Sequence, residues 1–402
     1  WGRLLSIKHW DYYRIINEIN KKELLIMMKY LKYYISTFTL FIAIIICSLG
    51  NSYYPTIFFT IFSLLVVLGD IFLGEDDSIQ KYTYPRLLNL PIYMNLPLLL
   101  ILVFTTIFIF SNHSNTWLIH LFNSYLHIDL LQIKNSATLL DQFSFLAMTS
   151  LFIGTMGTVP GHELTHRKKN TFDMFIGNWL LALSWDCTFA IEHVYGHHKN
   201  VGLSSDPATA KRGENIYAFI LRAIKNEHRD GWLIEFDRMK RRGLKPFGYQ
   251  NKMIIGYLRS LSITIGAFFI GGLVGMLFYL LCAFIAKSLL EAINYSEHYG
   301  LVREPGKPVY PKHSWNSNHV MSSIYLYNVT RHSAHHERTN LKYWELGAYP
   351  DAPMMPQGYL SMLFLAILLP FVYHKIMAKK LIVWDEIHAT PAEVKIAMAQ
   401  IN

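Results

Sequence analysis

Apolar positions along the chain gather into long runs divided by short polar stretches, a pattern of helices solvated by lipid rather than of an amphipathic globular domain. Runs at residues 34–49, 54–73, 91–110 and 138–159 have about the length needed to cross ~30 Å of hydrocarbon. The stretch 254–292 is too long for one crossing and is interrupted by Gly271 and Gly272, so it predicts a hairpin of two helices, 254–271 and 273–292. Two further apolar runs, 174–191 and 360–377, are broken by Asp186 and Pro370 and are assigned to the interface or the protein interior, because spanning either would upset the parity of crossings. The expected fold is therefore an all-α integral membrane protein. It has six transmembrane helices and a helical cap from residues 160–250 and 293–402, within a single domain covering 1–402.

Composition sharpens this reading. Of the 402 residues 52% are hydrophobic and only 16% charged, too apolar for an ordinary soluble domain of this size. The net charge of +9 comes from basic residues between and beyond the apolar runs, which speaks for membrane topology and against nucleic-acid binding. Arg3, Lys8, Arg14, Lys21, Lys22, Lys29 and Lys32 precede the first run, whereas residues 111–137 contain Lys134 alone. Both ends and the cap are accordingly expected on the cytoplasmic side of the inner membrane. The basic amino end lacks a small-residue cleavage site, so no cleavable signal peptide is expected. Cys47, Cys187 and Cys282 form no CxxC pair, which excludes a zinc ribbon, an iron–sulfur site or a fused rubredoxin domain.

Half of the eighteen histidines fall into four clusters at the borders of apolar runs. The first is HELTH, with His162 and His166 on one helical face at i, i+4. The second is EHVYGHH, with His193, His197 and His198; the third, NYSEHYGL, contains His298; the fourth, RHSAHH, contains His332, His335 and His336. A single tetrahedral zinc uses three or four such groups, and nine imidazoles are enough for two ions with positions left open. Imidazole suits iron, zinc and copper alike, and iron is the choice that joins two metals to O2 chemistry. HELTH also satisfies the HExxH pattern of a zinc protease, with Glu163 as base, but that reading leaves seven clustered histidines unexplained. His313 and His319, in HSWNSNH between the last two clusters, have isolated spacing and are expected to be structural or to support the ligands rather than to be ligands. His9, His113, His120, His127, His228, His374 and His388 have no convergent partners.

These boxes in this order resemble the alkane 1-monooxygenase family, within the membrane fatty-acid desaturases and hydroxylases. The resemblance runs from His162 to Tyr373 by motif and covers the preceding runs by layout; NYSEHYGL is its most specific element. It implies a non-haem centre of two Fe ligated by His162, His166, His193, His197, His198, His298, His332, His335 and His336. Glu163, Glu192, Glu297 and Asp206 are similar to carboxylates that orient such imidazoles. The chain departs from the best-known alkane hydroxylases at Val194-Tyr195 and at Ala334, which leaves alkyl-aromatic or terpene substrates open.

The resemblance further implies a hydrophobic substrate entering from membrane lipid, O2 as oxidant, and hydroxylation at a terminal or benzylic carbon. A desaturase or decarboxylase on the same scaffold is the alternative. Electrons are expected in trans from a rubredoxin or ferredoxin docked on Lys211, Arg212, Arg238, Lys240, Arg241 and Arg242.

Overall fold

The computed structural model describes residues 27–111 and 116–400. His9, His113 and the basic residues from Arg3 to Lys22 lie outside them. Among the described residues the chain is helical throughout, and its extended pairing is limited to two isolated bridges, Glu75 with His319 and Asn316 with Met354. Five helices are long and apolar enough to cross a membrane: α1 (Met27–Ser48), α2 (Tyr54–Phe72), α3 (Pro85–Phe110), α4 (Leu139–His166) and, further along, the 47-residue Lys252–His298.

Burial separates their roles. In the most apolar window of α4, 83% of residues are buried, against 28–33% for α1, α2 and Lys252–His298, so α4 is the bundle's central helix and the others turn one face outward. Those outer faces carry Phe41, Ile45, Ile61, Leu65, Phe269 and Leu277, a hydrophobic surface that lipid covers. The start of α4 is held by a capping box in which Thr138 and Asp141 bond each other's backbone N–H. Asp141 also accepts from Tyr53 N and Thr56 Oγ1 and so ties α4 to the head of α2. At its far end Gly161 packs on Gly177 of the helix Thr171–Ala182; a Cβ on Gly177 would lie 2.9 Å from Leu164. Small residues here let the His162 turn sit close against its neighbour.

The next long helix is α5 (Ile216–Arg241), whose first N–H groups are capped by Asn215. Lys252–His298, labelled α6, is bent at Gly272 (φ 63°, ψ −159°), a conformation open essentially to glycine alone. Ser260 Oγ, before the bend, and Tyr279 OH, after it, both donate to the carbonyl of Ala182 at 3.1 and 3.4 Å. Two residues so far apart on a straight rod could not share an acceptor. The fold-back expected at Gly271 and Gly272 is therefore present, and its second arm ends in the NYSEHYGL box. The apolar run 360–377 divides at Pro370 into α7 (Tyr359–Leu368) and α8 (Pro370–Ile387), followed by α9 (Pro391–Met398). Glu393 of α9 binds Lys312 Nζ at 2.5 Å and His313 Nε2 at 2.9 Å, which fastens the carboxyl-terminal helices to the loop before the last histidine box.

Candidate metal centre

All nine histidines of the four boxes meet, and they do so as two groups. His162, His166, His193, His198 and His335 form one; His197, His298, His332 and His336 form the other, with ligand-capable atoms in each within 4.8 Å of one another. His166 and His198 are half-buried and the other seven are buried. The imidazoles of His313 and His319 join neither group: His313 Nε2 binds Glu393 while its backbone carbonyl lies 3.4 Å from His298 Nδ1, and His319 Nδ1 lies 3.1 Å from Ser317 Oγ.

Local helix geometry decides the partition. In HELTH and in RHSAHH, His162 with His166 and His332 with His336 are i, i+4 pairs on regular turns, and each pair shares a group. The second box is different. His193–His197 forms one wide π turn with i→i+5 hydrogen bonding, so His193 is brought beside His198, their Nε2 atoms 3.1 Å apart, while His197 swings into the other group. The fourth box likewise serves both groups, His335 joining the first while His332 and His336 join the second.

The donor set fits metal better than it fits itself. An imidazole nitrogen offers one in-plane site, an N–H or a lone pair. His335 Nε2 lies 3.0 Å from His162 Nε2 and 3.1 Å from His198 Nε2, which in turn is 3.1 Å from His193 Nε2. Three contacts among four nitrogens ask for more sites than those nitrogens have. In the second group His332 Nε2 is 3.2 Å from His298 Nε2 and 2.9 Å from His336 Nε2. His166 Nε2 and His197 Nε2 are buried with no hydrogen-bond partner. A cation among the lone pairs of each group removes both conflicts. Burial, joined by the neighbouring imidazoles, pushes His193, His198, His332, His335 and His336 well below the usual imidazole value, which keeps them neutral and able to ligate.

The four carboxylates expected beside the imidazoles have different surroundings. Asp206 accepts from His197 Nδ1 at 2.9 and 3.1 Å and from Thr209 Oγ1 at 2.6 Å. Burial alone would raise its pKa, but the His197 and Thr209 contacts outweigh it and hold the carboxyl below its ordinary value. Glu297 Oε1 is 3.3 Å from His332 Nδ1. Glu163 instead takes Arg167 Nε and Nη2 at 3.1 and 2.6 Å. Glu192 is buried with Oε1 unpartnered, and burial together with Asp206 pushes its pKa well up.

Two spaces adjoin the centre. A small cavity is walled by Val159, Phe189, Leu290, Ile293 and Val329 and bounded by His162, His193, Glu297 and His332. A wide polar basin of about 840 Å³ reaches His166 and His198, with Arg86, Lys168, Lys169 and Lys342 around it. One of the basic residues expected to be exposed is not: Arg212 is buried, with its guanidinium on Asp385 at 2.6 and 2.8 Å. Arg238 is partly exposed and is held by both oxygens of Glu235. Lys287, buried among Asp186, Glu227 and Glu291, has no signal in the sequence, because a single lysine in an apolar run does not mark itself.

Fold and site together define a multi-pass membrane protein with a histidine-built metal centre. The chain matches the profile of the fatty acid desaturase family over residues 138–366, more than half its length, and belongs to that family. It is similar to alkane 1-monooxygenase 1 of Pseudomonas aeruginosa, 40% identical over 223 residues that cover 54% of this chain and 58% of the relative. It is 34% identical to alkane 1-monooxygenase of Pseudomonas putida over 258 residues, 60% of each chain. It is 32% identical to the hydroxylase component of the xylene/toluene monooxygenase of Pseudomonas putida over 244 residues, 60% of this chain and 65% of that one. The matches thus span less than two thirds of these relatives, and agree with the resemblance carried by the boxes.

Proposed function

We propose that the protein is a membrane monooxygenase that inserts one atom of O2 into a terminal or benzylic C–H bond of an alkane-like hydrocarbon, with one non-haem iron in each histidine group. The observation that carries this reading is the double group of nine imidazoles, in a chain whose relatives are named for alkane and xylene/toluene oxidation. Bound iron would supply the O2-derived oxidant that an unactivated C–H bond demands. The protein's residues do the remaining work. His162, His166, His193, His198 and His335 would hold one ion, and His197, His298, His332 and His336 the other. Asp206 fixes the His197 tautomer with its Nδ1 protonated and Nε2 free. Val159, Phe189, Leu290, Ile293 and Val329 form the apolar side of the space beside His162, His193 and His332; at about 10 Å³ it has room for a single water, so a hydrocarbon would displace these side chains to bring a carbon to the histidines. A linear chain that enters end first would be oxidised where access rather than bond strength decides.

In the same reading α1 to α4 and the two arms of α6 make six crossings, with both chain ends on the cytoplasmic side of the inner membrane. Electrons come from an acidic rubredoxin or ferredoxin steered to the basin by Arg86, Lys168, Lys169 and Lys342, where His166 and His198 are the accessible edge of the centre. The test supplies a medium-chain alkane or a xylene, labelled O2 and a rubredoxin or ferredoxin reducing system. The expected product is the primary or benzylic alcohol with one labelled oxygen. An alkene as main product would assign the chain to desaturation, and oxygen derived from water would refute monooxygenation.

A further inference from the structure

One buried ionic group lies outside the metal centre and beside it. Lys287, on the second arm of α6, has Nζ 2.9 Å from Asp186 Oδ2, 2.8 Å from Glu227 Oε2 and 2.5 Å from Glu291 Oε1. Asp186 comes from the turn after the helix Thr171–Ala182, Glu227 from α5, and Glu291 from the next turn of α6. Glu192 also faces the group, the Phe189 ring lies 5.9 Å from the ammonium, and His228 and Asp230 on α5 are half-exposed beside Glu227. A lysine in an apolar helix can be neutralised by one carboxylate. Three leave surplus negative charge in a buried place, and a proton held on one of them lowers that cost. Burial shifts both Asp186 and Glu227 upward.

The group touches the metal centre twice. Phe189, facing Lys287, stacks on His193 at 4.4 Å between ring centres. Asn294 Nδ2 donates to Glu291 Oε2 at 3.1 Å and lines the cavity bounded by His162, His193, Glu297 and His332. Ionisable residues buried in an apolar helix are costly, and those in membrane proteins that form chains are commonly proton paths.

We propose that Asp186, Glu227, Lys287 and Glu291 form a proton relay from the half-exposed face of α5 to the cavity at the metal centre. This rests on the monooxygenase reading, in which a hydrocarbon, O2, two electrons and two protons become an alcohol and water. The electrons come from the iron–sulfur carrier. Each proton enters at Glu227 from the aqueous side, passes through the Lys287 group to Glu291, and leaves the cavity within the water formed.

Two measurements test it on the full-length protein in membranes. The first needs no turnover: infrared difference spectra between wild type and Glu227→Gln, in H2O and D2O, are expected to show a neutral carboxyl band that shifts on deuteration and is missing in the variant. No such band overturns the stored proton. If Glu227→Gln does not accumulate, Asp186→Asn, on the other side of Lys287, serves the same comparison. The second follows O2 consumption in Glu291→Gln with metal content verified. Alcohol formation is expected to fall by about 10²-fold, the weight of a positioned proton donor, with an altered pH profile, peroxide in place of alcohol, and recovery in Glu291→Asp. Unchanged coupling and pH profile overturn the relay. If wild type oxidises no hydrocarbon, the monooxygenase reading fails, and the infrared band still decides whether the group stores a proton.

Discussion

Replacing Asp206 with Asn will empty one metal group and spare the other. Asp206 and His197 have fully buried side chains, so neither water nor salt screens their contact. Exchanging a carboxylate acceptor for an amide turns a charge-assisted hydrogen bond, worth about 1.5–3 kcal/mol, into a neutral one worth about 0.5–1.5. The amide also meets the Thr209 hydroxyl, now 2.6 Å from the carboxylate, less well. The total is about 2 kcal/mol, or a ~30-fold weaker hold on the ion that His197 ligates, inside the ~10–100-fold typical for residues that orient a ligand. Among the described residues no such carboxylate contact serves the group of His162, His166, His193, His198 and His335. Dialysis against graded chelator with metal counted per chain should therefore find a window in which wild type retains two ions and Asp206→Asn one. Loss of both ions together, or retention of both at every chelator concentration, would refute the two-group partition.

Three further outcomes follow from the same geometry. His336→Ala leaves three imidazoles in its group and is expected to release that ion, whereas His335→Ala leaves four and weakens binding; both should stop turnover, and near-normal activity in either would remove that residue from the ligand set. Gly272→Ala forces a Cβ into a glycine-only conformation and should cost about 1–3 kcal/mol, read as a lower Tm in detergent; an unchanged Tm would contradict the bend. Burial opposes ionisation of Glu393, but hydrogen bonds from Lys312, Thr390 and His313 outweigh it and place its folded-state pKa below the ordinary value. Its stabilisation is thus complete above about pH 4.3 and lost as pH falls through the lower folded value. Limited proteolysis should find α9 released on acidification in wild type and already loosened at neutral pH in Glu393→Gln; equal protection of the two at neutral pH would dismiss the tether.

The histidine boxes were legible because they stand where apolar runs end, and the hairpin because Gly271 and Gly272 interrupt a run too long for one crossing. The division of nine imidazoles into five and four was not. It depends on the π turn at His193–His197, and spacing alone favours pairing His193 with His197 rather than with His198. Charge misled in both directions. Arg212 reads as surface because arginine usually is, yet its partner Asp385 holds it buried. Lys287 was absorbed into an apolar run because its three carboxylates come from positions 186, 227 and 291, a convergence only the folded chain displays. Of the carboxylates within the boxes, Glu163 turns to Arg167, a residue four positions on and outside its motif.

Each metal group draws its last member from the fourth box, His335 for one and His332 with His336 for the other. During synthesis at roughly 5–20 residues per second, HELTH therefore waits roughly 10–35 s for the residues that complete its group. Neither ion can be fully caged until the α6 hairpin has been inserted and His336 has left the ribosome. Metal loading is thus a late step of biogenesis, and a chain truncated before residue 332 carries most of the imidazoles but sequesters no metal pair. Supply of metal to the finished membrane protein, rather than to the nascent chain, then governs how much of it matures.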